Sequence, residues 1–234
     1  GVPLATTQVV GRDRYIEYVS WLANIAATCE KILQEIRNLQ RSEIQEAGEG
    51  FDVEKQVGSS TMAHKKNPIK SENASGLARI VRSMIIPTYE NALLWHERDL
   101  ANSSSERFTL SHGSALCEDV IAKTRDVLTN MWVDADRCLE NIKSQRGLVM
   151  AEKVMIDLVD HGIARDEAHE ILREASFTAV ANKEELIDVC SRTPAISAAF
   201  SAEELEAMFD PANHIGVSGE LVDECVALAR AAIQ

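Results

Sequence analysis

No apolar run in this sequence is long enough to span a bilayer, which excludes a membrane-spanning helix. No basic-then-apolar leader stands at its start, so no secretory signal is expected. Positive charge is in short supply: 24 Lys and Arg face 37 Asp and Glu, a formal net charge of −13 at pH 7. A field of that sign repels phosphate, so nucleic acid is a poor default partner and any anion site must be built locally. None of the five cysteines (Cys29, Cys117, Cys138, Cys190, Cys225) forms a C-x-x-C pair. An odd number without a framework reads as reduced, buried cysteines in a cytosolic protein. Strand alternation and internal repeats are also missing. The chain opens on "GVPLATTQVV", without Met, and reads as a fragment or a processed piece.

What is present is helical periodicity. The chain has 234 residues, 45% of them apolar, enough for one large or two modest domains with a core. Apolar residues at Ile16, Val19, Leu22, Ile25, Cys29, Ile32, Ile36 and Leu39 follow steps of three and four. They predict one helix over residues 13–46, ended by Gly48 and Gly50. At about 33 residues it would be about 50 Å long, too long for a compact monomer and suited to a bundle between subunits. Asn67 and Pro68 predict the cap and first position of a second helix. Its face continues through Leu77, Ile80, Val81, Met84 and Ile85 until Pro87 kinks or interrupts it. Ser103 and Glu106 fit a capping box that opens a third helix running towards Met131. A short helix capped at Asp134 follows.

After about Lys143 the helices shorten. One stops at Gly162, one covers 165–182, one is boxed by Ser201 and Glu204, and an amphipathic helix closes the chain. The expected class is all-α: a long-helix bundle over 1–142, then a small helical C-terminal domain over 143–234.

Chemistry concentrates in "GSSTMAHKKNPIKSE", residues 58–72. It is a solvated linker or a reactive loop. Gly58 allows close approach of backbone to a ligand. Ser59, Ser60 and Thr61 set hydroxyls beside N–H groups that can form an oxyanion nest. Lys65, Lys66 and Lys70 bring positive charge into an acidic chain. Taken singly, His64 is a bystander, Asn67 a helix cap and Glu72 a first-turn acid facing the helix dipole. The segment "LWHERDLANSSSER" is either a charged surface connection or an anion site. In the second reading Arg98, Ser103 and Arg107 converge near a helix N-terminus, as a phosphate requires.

"GSSTMAHKKNP" resembles the signature loop of the fumarase/aspartase/argininosuccinate lyase superfamily, with Ala63 where that pattern has Pro. The resemblance implies anti-elimination of fumarate from a succinyl-bearing substrate. It maps the general base to Ser59 and the groups that hold the substrate carboxylate or the carbanion to Lys65 and Asn67. Ser60 and Met62 join the substrate-binding loop. Glu72 matches the glutamate that orients a general-acid histidine. "WHERDL..SS.ER" is similar to the adenylosuccinate lyase family within that superfamily, where Arg98, Ser103 and Arg107 would hold the phosphoribosyl end. "TTQVVGRDRYIEY" resembles the opening of that family's longest bundle helix and maps an active-site glutamine to Gln8.

The likeness covers nearly the whole chain, as the C-terminal half of a family member about twice as long. The acid histidine would lie in the other half; His64 and His96 are secondary candidates for substrate contact. The resemblance implies purine-nucleotide substrates, no metal or organic cofactor, a cytoplasmic homotetramer with active sites shared between subunits, and no activity for this piece alone. Carboxymuconate cycloisomerases share the loop and remain an alternative, as does a non-catalytic oligomerising scaffold.

Overall fold

The computed structural model describes residues 10–51, 66–97 and 99–233. The chain divides into two compact units, Gly1–Arg137 and Cys138–Gln234.

In the first unit three helices pack side by side: α1 (Asp13–Leu39), α2 (Ile69–Ser83) and α5 (Gly113–Asn130). Leu22, Ala26, Ala78, Val81, Cys117 and Val120 form one buried cluster. Leu33, Ile36, Ala74 and Val127 form a second. Between the two clusters the numbers rise along α1, fall along α2 and rise along α5. So α2 runs antiparallel to both neighbours. Ala26, Ala74 and Ala78 are fully buried, and their small side chains let the helices approach closely. Glu30 on α1 receives Arg79 and Arg82 of α2.

α1 stops at Leu39, short of the expected residue 46. No further apolar residue follows on the helical period until Ile44, so the next turn has nothing to bury. Gln45 turns the chain with φ 57°. Gly48 and Gly50 therefore do not end the helix; they allow close approach. Gly48 lies in β1 (Ala47–Gly48), paired antiparallel with β2 (Trp132–Val133), a short pairing that the sequence did not suggest. A Cβ on Gly48 would stand 2.6 Å from the Trp132 ring, and one on Gly50 would stand 2.1 Å from the Asn130 carbonyl oxygen.

The break after α2 follows from Pro87. A proline ring clashes with the carbonyl four residues back, here Ser83, the last residue of α2. The chain restarts as α3 (Ile85–Glu90). α4 (Ala101–Glu106), a π-helical segment (Arg107–His112) and α5 then run on without interruption. Periodicity gave no sign of the π segment. α6 (Ala135–Ser144) starts where expected, with the Asp134 carboxylate accepting the Arg137 N–H at 2.9 Å.

The second unit holds α7 (Ala151–Asp160), α8 (Arg165–Asn182), α9 (Leu186–Arg192), α10 (Pro194–Ala199), α11 (Ala202–Phe209) and α12 (Ser218–Ile233). Val154, Leu158, Leu172, Leu186, Ile196 and Leu205 are among its buried core. Gly162 takes φ 93° after α7, and Ser201 and Glu204 form the expected reciprocal capping box of α11. α12 buries no residue within the chain.

All five cysteines are free, but not all are buried. Cys117 and Cys190 are buried, Cys29 and Cys138 are half-buried, and Cys225 is exposed. Among the described residues no helix is long and apolar enough to cross a membrane.

Candidate active site

Four expected site residues fall within the described structure: Asn67, Glu72, Ser103 and Arg107. Gln8, Ser59, Ser60, Met62, Lys65 and Arg98 lie outside it, as does His64.

The four are not brought together. Gln40, just past the C-terminal end of α1, donates through Nε2 to the Lys66 carbonyl at 3.0 Å, directly before Asn67. Arg12, at the N-terminal end of α1, donates through Nε to Glu106 at 2.7 Å, directly before Arg107. The 27 residues of α1 separate those ends by about 40 Å. One chain therefore presents two clusters, one at each end of its first unit.

At the loop end an open cleft of about 970 Å³ is lined by Arg37, Arg41, Lys66, Asn67, Glu72 and Arg137, among others. Local cations thus gather here in an acidic chain. Asn67 is half-buried, and Glu72 is exposed on the first turn of α2. Pro68, not Asn67, is the residue that flanks the helix start, and Asn67 contributes its backbone carbonyl to the Ile69 N–H at 2.9 Å.

The capping carboxylate is Glu49, which sequence reading missed. Its Oε1 accepts the Lys70 N–H at 3.0 Å, and its Oε2 accepts the Ser71 N–H at 2.9 Å and the Ser71 hydroxyl at 2.8 Å. The first free N–H groups of a helix need acceptors, and a carboxylate also meets the positive end of the helix dipole. Glu49 is only 4% exposed, so this capping accounts for an otherwise costly buried charge. The available signal was a glutamate between two glycines, which carries no helical period.

At the other end Ser103 does not cap a helix. α4 already begins at Ala101, and the Asp99 carboxylate accepts the N–H groups of Ala101 and Trp95, each at 2.8 Å. Those two bonds hold the Asp99 carboxyl below its usual range. The expected capping box is absent as well, because the Glu106 carboxylate turns to Arg12. That hydrogen bond raises the Arg12 pKa further. Ser103 is half-buried, and Arg107 is exposed at the first position of the π segment. π segments inside α-helices occur often at functional sites. His96 takes a left-handed backbone (φ 45°, ψ 39°) in the preceding turn, a strained conformation for a residue with a side chain. Among the described residues no group of three or more His, Cys, Asp or Glu is placed to hold a metal ion.

This fold and these motifs have known counterparts. Residues 2–83 match the family described as "Lyase", and residues 147–225 match "Adenylosuccinate lyase C-terminus". The chain belongs to the fumarase/aspartase lyase superfamily, through a match to the C-terminal half of its adenylosuccinate lyases. An adenylosuccinate lyase of Archaeoglobus fulgidus is 43% identical over 95% of this chain and 50% of its own length. One from Methanothermobacter thermautotrophicus is 43% identical over 94% of this chain and 49% of its own length. The chain thus spans about half the length of the relatives it matches. Among solved structures, a 3-carboxy-cis,cis-muconate lactonizing enzyme of Pseudomonas putida superposes with a TM-score of 0.81 at 28% identity, covering 93% of this chain and 47% of that one.

Proposed function

We propose that this chain is the C-terminal half of a lyase that cleaves adenylosuccinate to AMP and fumarate, and the succinyl-carboxamide ribotide to its carboxamide ribotide and fumarate. The observation that carries this reading is the 43% identity to adenylosuccinate lyases across nearly the whole chain, signature loop and "WHERDLANSSSER" segment included.

Ser59 takes the proton from the carbon beside a substrate carboxylate. A serine is a weak base, so the loop N–H groups and the lysines around it stabilise its alkoxide. The electron pair moves onto the carboxylate, where Lys65, Asn67 and the N–H groups near Ser60 and Met62 hold the extra charge. The carbon–nitrogen bond then breaks, and a histidine oriented by Glu72 protonates the leaving nitrogen. None of the six histidines of this chain matches that residue's family context, so this piece alone is inactive. Arg98, Ser103 and Arg107 hold the phosphoribosyl end, and Gln8 lines the site.

The 40 Å between the two clusters favours sites assembled from several subunits of a cytoplasmic homotetramer, with residues 1–142 as part of the central bundle and 143–234 as the C-terminal domain. No nucleic-acid or membrane partner and no cofactor is proposed.

The structural likeness to a muconate lactonizing enzyme favours a second reading as a cycloisomerase. The complete enzyme, assayed for fumarate release with adenylosuccinate and for turnover of carboxymuconate, decides between them. Adenylosuccinate turnover abolished by Ser59→Ala is expected. Carboxymuconate turnover alone, or an unimpaired Ser59→Ala enzyme, overturns the proposal.

A further inference from the structure

We infer that Glu49 and Gln40 are positioning residues, holding Asn67 from both sides and Glu72 from its N-terminal side. The inference rests on the lyase reading for its catalytic consequence, and on geometry alone for the anchoring itself.

Residues 66–72 are gripped at two points. Upstream of Asn67, the Lys66 carbonyl accepts Gln40 Nε2. Downstream, the Lys70 and Ser71 N–H groups and the Ser71 hydroxyl converge on the Glu49 carboxylate. The two grips are themselves joined, because Gln40 Oε1 accepts the Glu49 N–H at 2.9 Å. The amide of one side chain thereby bridges the backbones of residues 49 and 66. Its position requires Gly48, where a Cβ would fall 2.9 Å from Gln40 Cδ.

The base of this arrangement is regular, closely packed structure. β1 pairs with β2, and Gly50 lies directly under the Asn130 carbonyl. The buried clusters of α1, α2 and α5 hold the helices below it. Catalytic groups displaced by about 1 Å lose about 100-fold in rate. A loop carrying such groups gains from anchors on regular structure. Asn67 stands between the two grips, and Glu72 follows the second by one residue.

The experiment has two arms on Glu49→Gln and Gln40→Ala. Glu49→Gln keeps size but puts an NH2 against N–H donors; Gln40→Ala removes the bridge. In the first arm, amide hydrogen exchange is followed on the unliganded protein. The Lys70 and Ser71 amides in Glu49→Gln should exchange about tenfold or more faster, while amides in α5 keep their rates. In the second arm, the complete enzyme is assayed. In both variants kcat should fall about tenfold or more with KM within about threefold, the pattern of a lost transition-state interaction. Val127→Ala, which loosens the same helical layer without touching either grip, serves as the control.

Unchanged exchange at Lys70 and Ser71 overturns the anchoring. Accelerated exchange with kcat falling no more than in an equally destabilised Val127→Ala enzyme overturns the positioning role. If the wild-type enzyme releases no fumarate, the lyase reading fails and the positioning role falls with it, while the exchange arm still decides the anchoring.

Discussion

The Arg12 guanidinium meets the Glu106 carboxylate at 2.7 Å across 94 positions of sequence, tying the start of α1 to the last residue before the π segment. Their side chains are 16% and 15% exposed, between a surface pair and a buried one. Glu106→Gln should therefore cost about 1–2 kcal/mol. Thermal unfolding should show a midpoint a few degrees lower, and Arg12→Lys should recover little, because the fork geometry is lost.

Two glycine substitutions should move stability in opposite directions. Gly50→Ala drives a methyl to 2.1 Å from a backbone carbonyl, an overpacking that should cost about 1–3 kcal/mol. Gly76 lies mid-helix in α2, and a methyl there would meet nothing within 4 Å, so Gly76→Ala should gain about 0.5–1 kcal/mol. Urea titration of the two variants measures both changes.

The cysteines should differ sharply towards a thiol reagent. Burial raises the Cys117 thiol and pushes Cys190 up to about 12, so neither forms thiolate near neutrality. Cys225 is exposed. Mass spectrometry after brief labelling at mildly alkaline pH should find Cys225 modified first and Cys190 only after unfolding.

Acid should release two local caps. Glu204 accepts the Ser201 N–H at 2.8 Å and its hydroxyl at 2.9 Å, and Asp99 accepts two N–H groups; both carboxyls titrate below their ordinary values. A depressed folded pKa contributes stability that is complete above about pH 5 and is lost as pH falls through the unfolded and then the folded value. NMR titration should place the Glu204 midpoint below the ordinary carboxylate range and return it upward in Ser201→Ala.

The distance along α1 makes a prediction about assembly. If the clusters at the Asn67 end and the Arg107 end come from different subunits of one site, co-expressed Asn67→Ala and Arg107→Ala enzymes should regain activity that neither has alone. No recovery in mixed oligomers would mean that each site draws both clusters from one subunit.

Local patterns in the sequence determined the all-α class, a break near Pro87, the Asp134 cap and the Ser201–Glu204 box, although α2 stops at Ser83, before the expected Met84 and Ile85. These are local effects, set by residues within one turn of each other. Of the motif at 58–72, residues 66–68 lead into α2 and residues 58–65 lie outside the described structure. Tertiary structure alone decided that Glu49 caps α2, that Glu106 answers Arg12 rather than Ser103, and that Gly48 and Gly50 serve close approach. Each depends on a partner between 20 and about 95 positions away, and no short-range spacing encodes such a pairing. It also decided that the two candidate clusters stand about 40 Å apart, because a 27-residue helix cannot fold back to bring its own ends together.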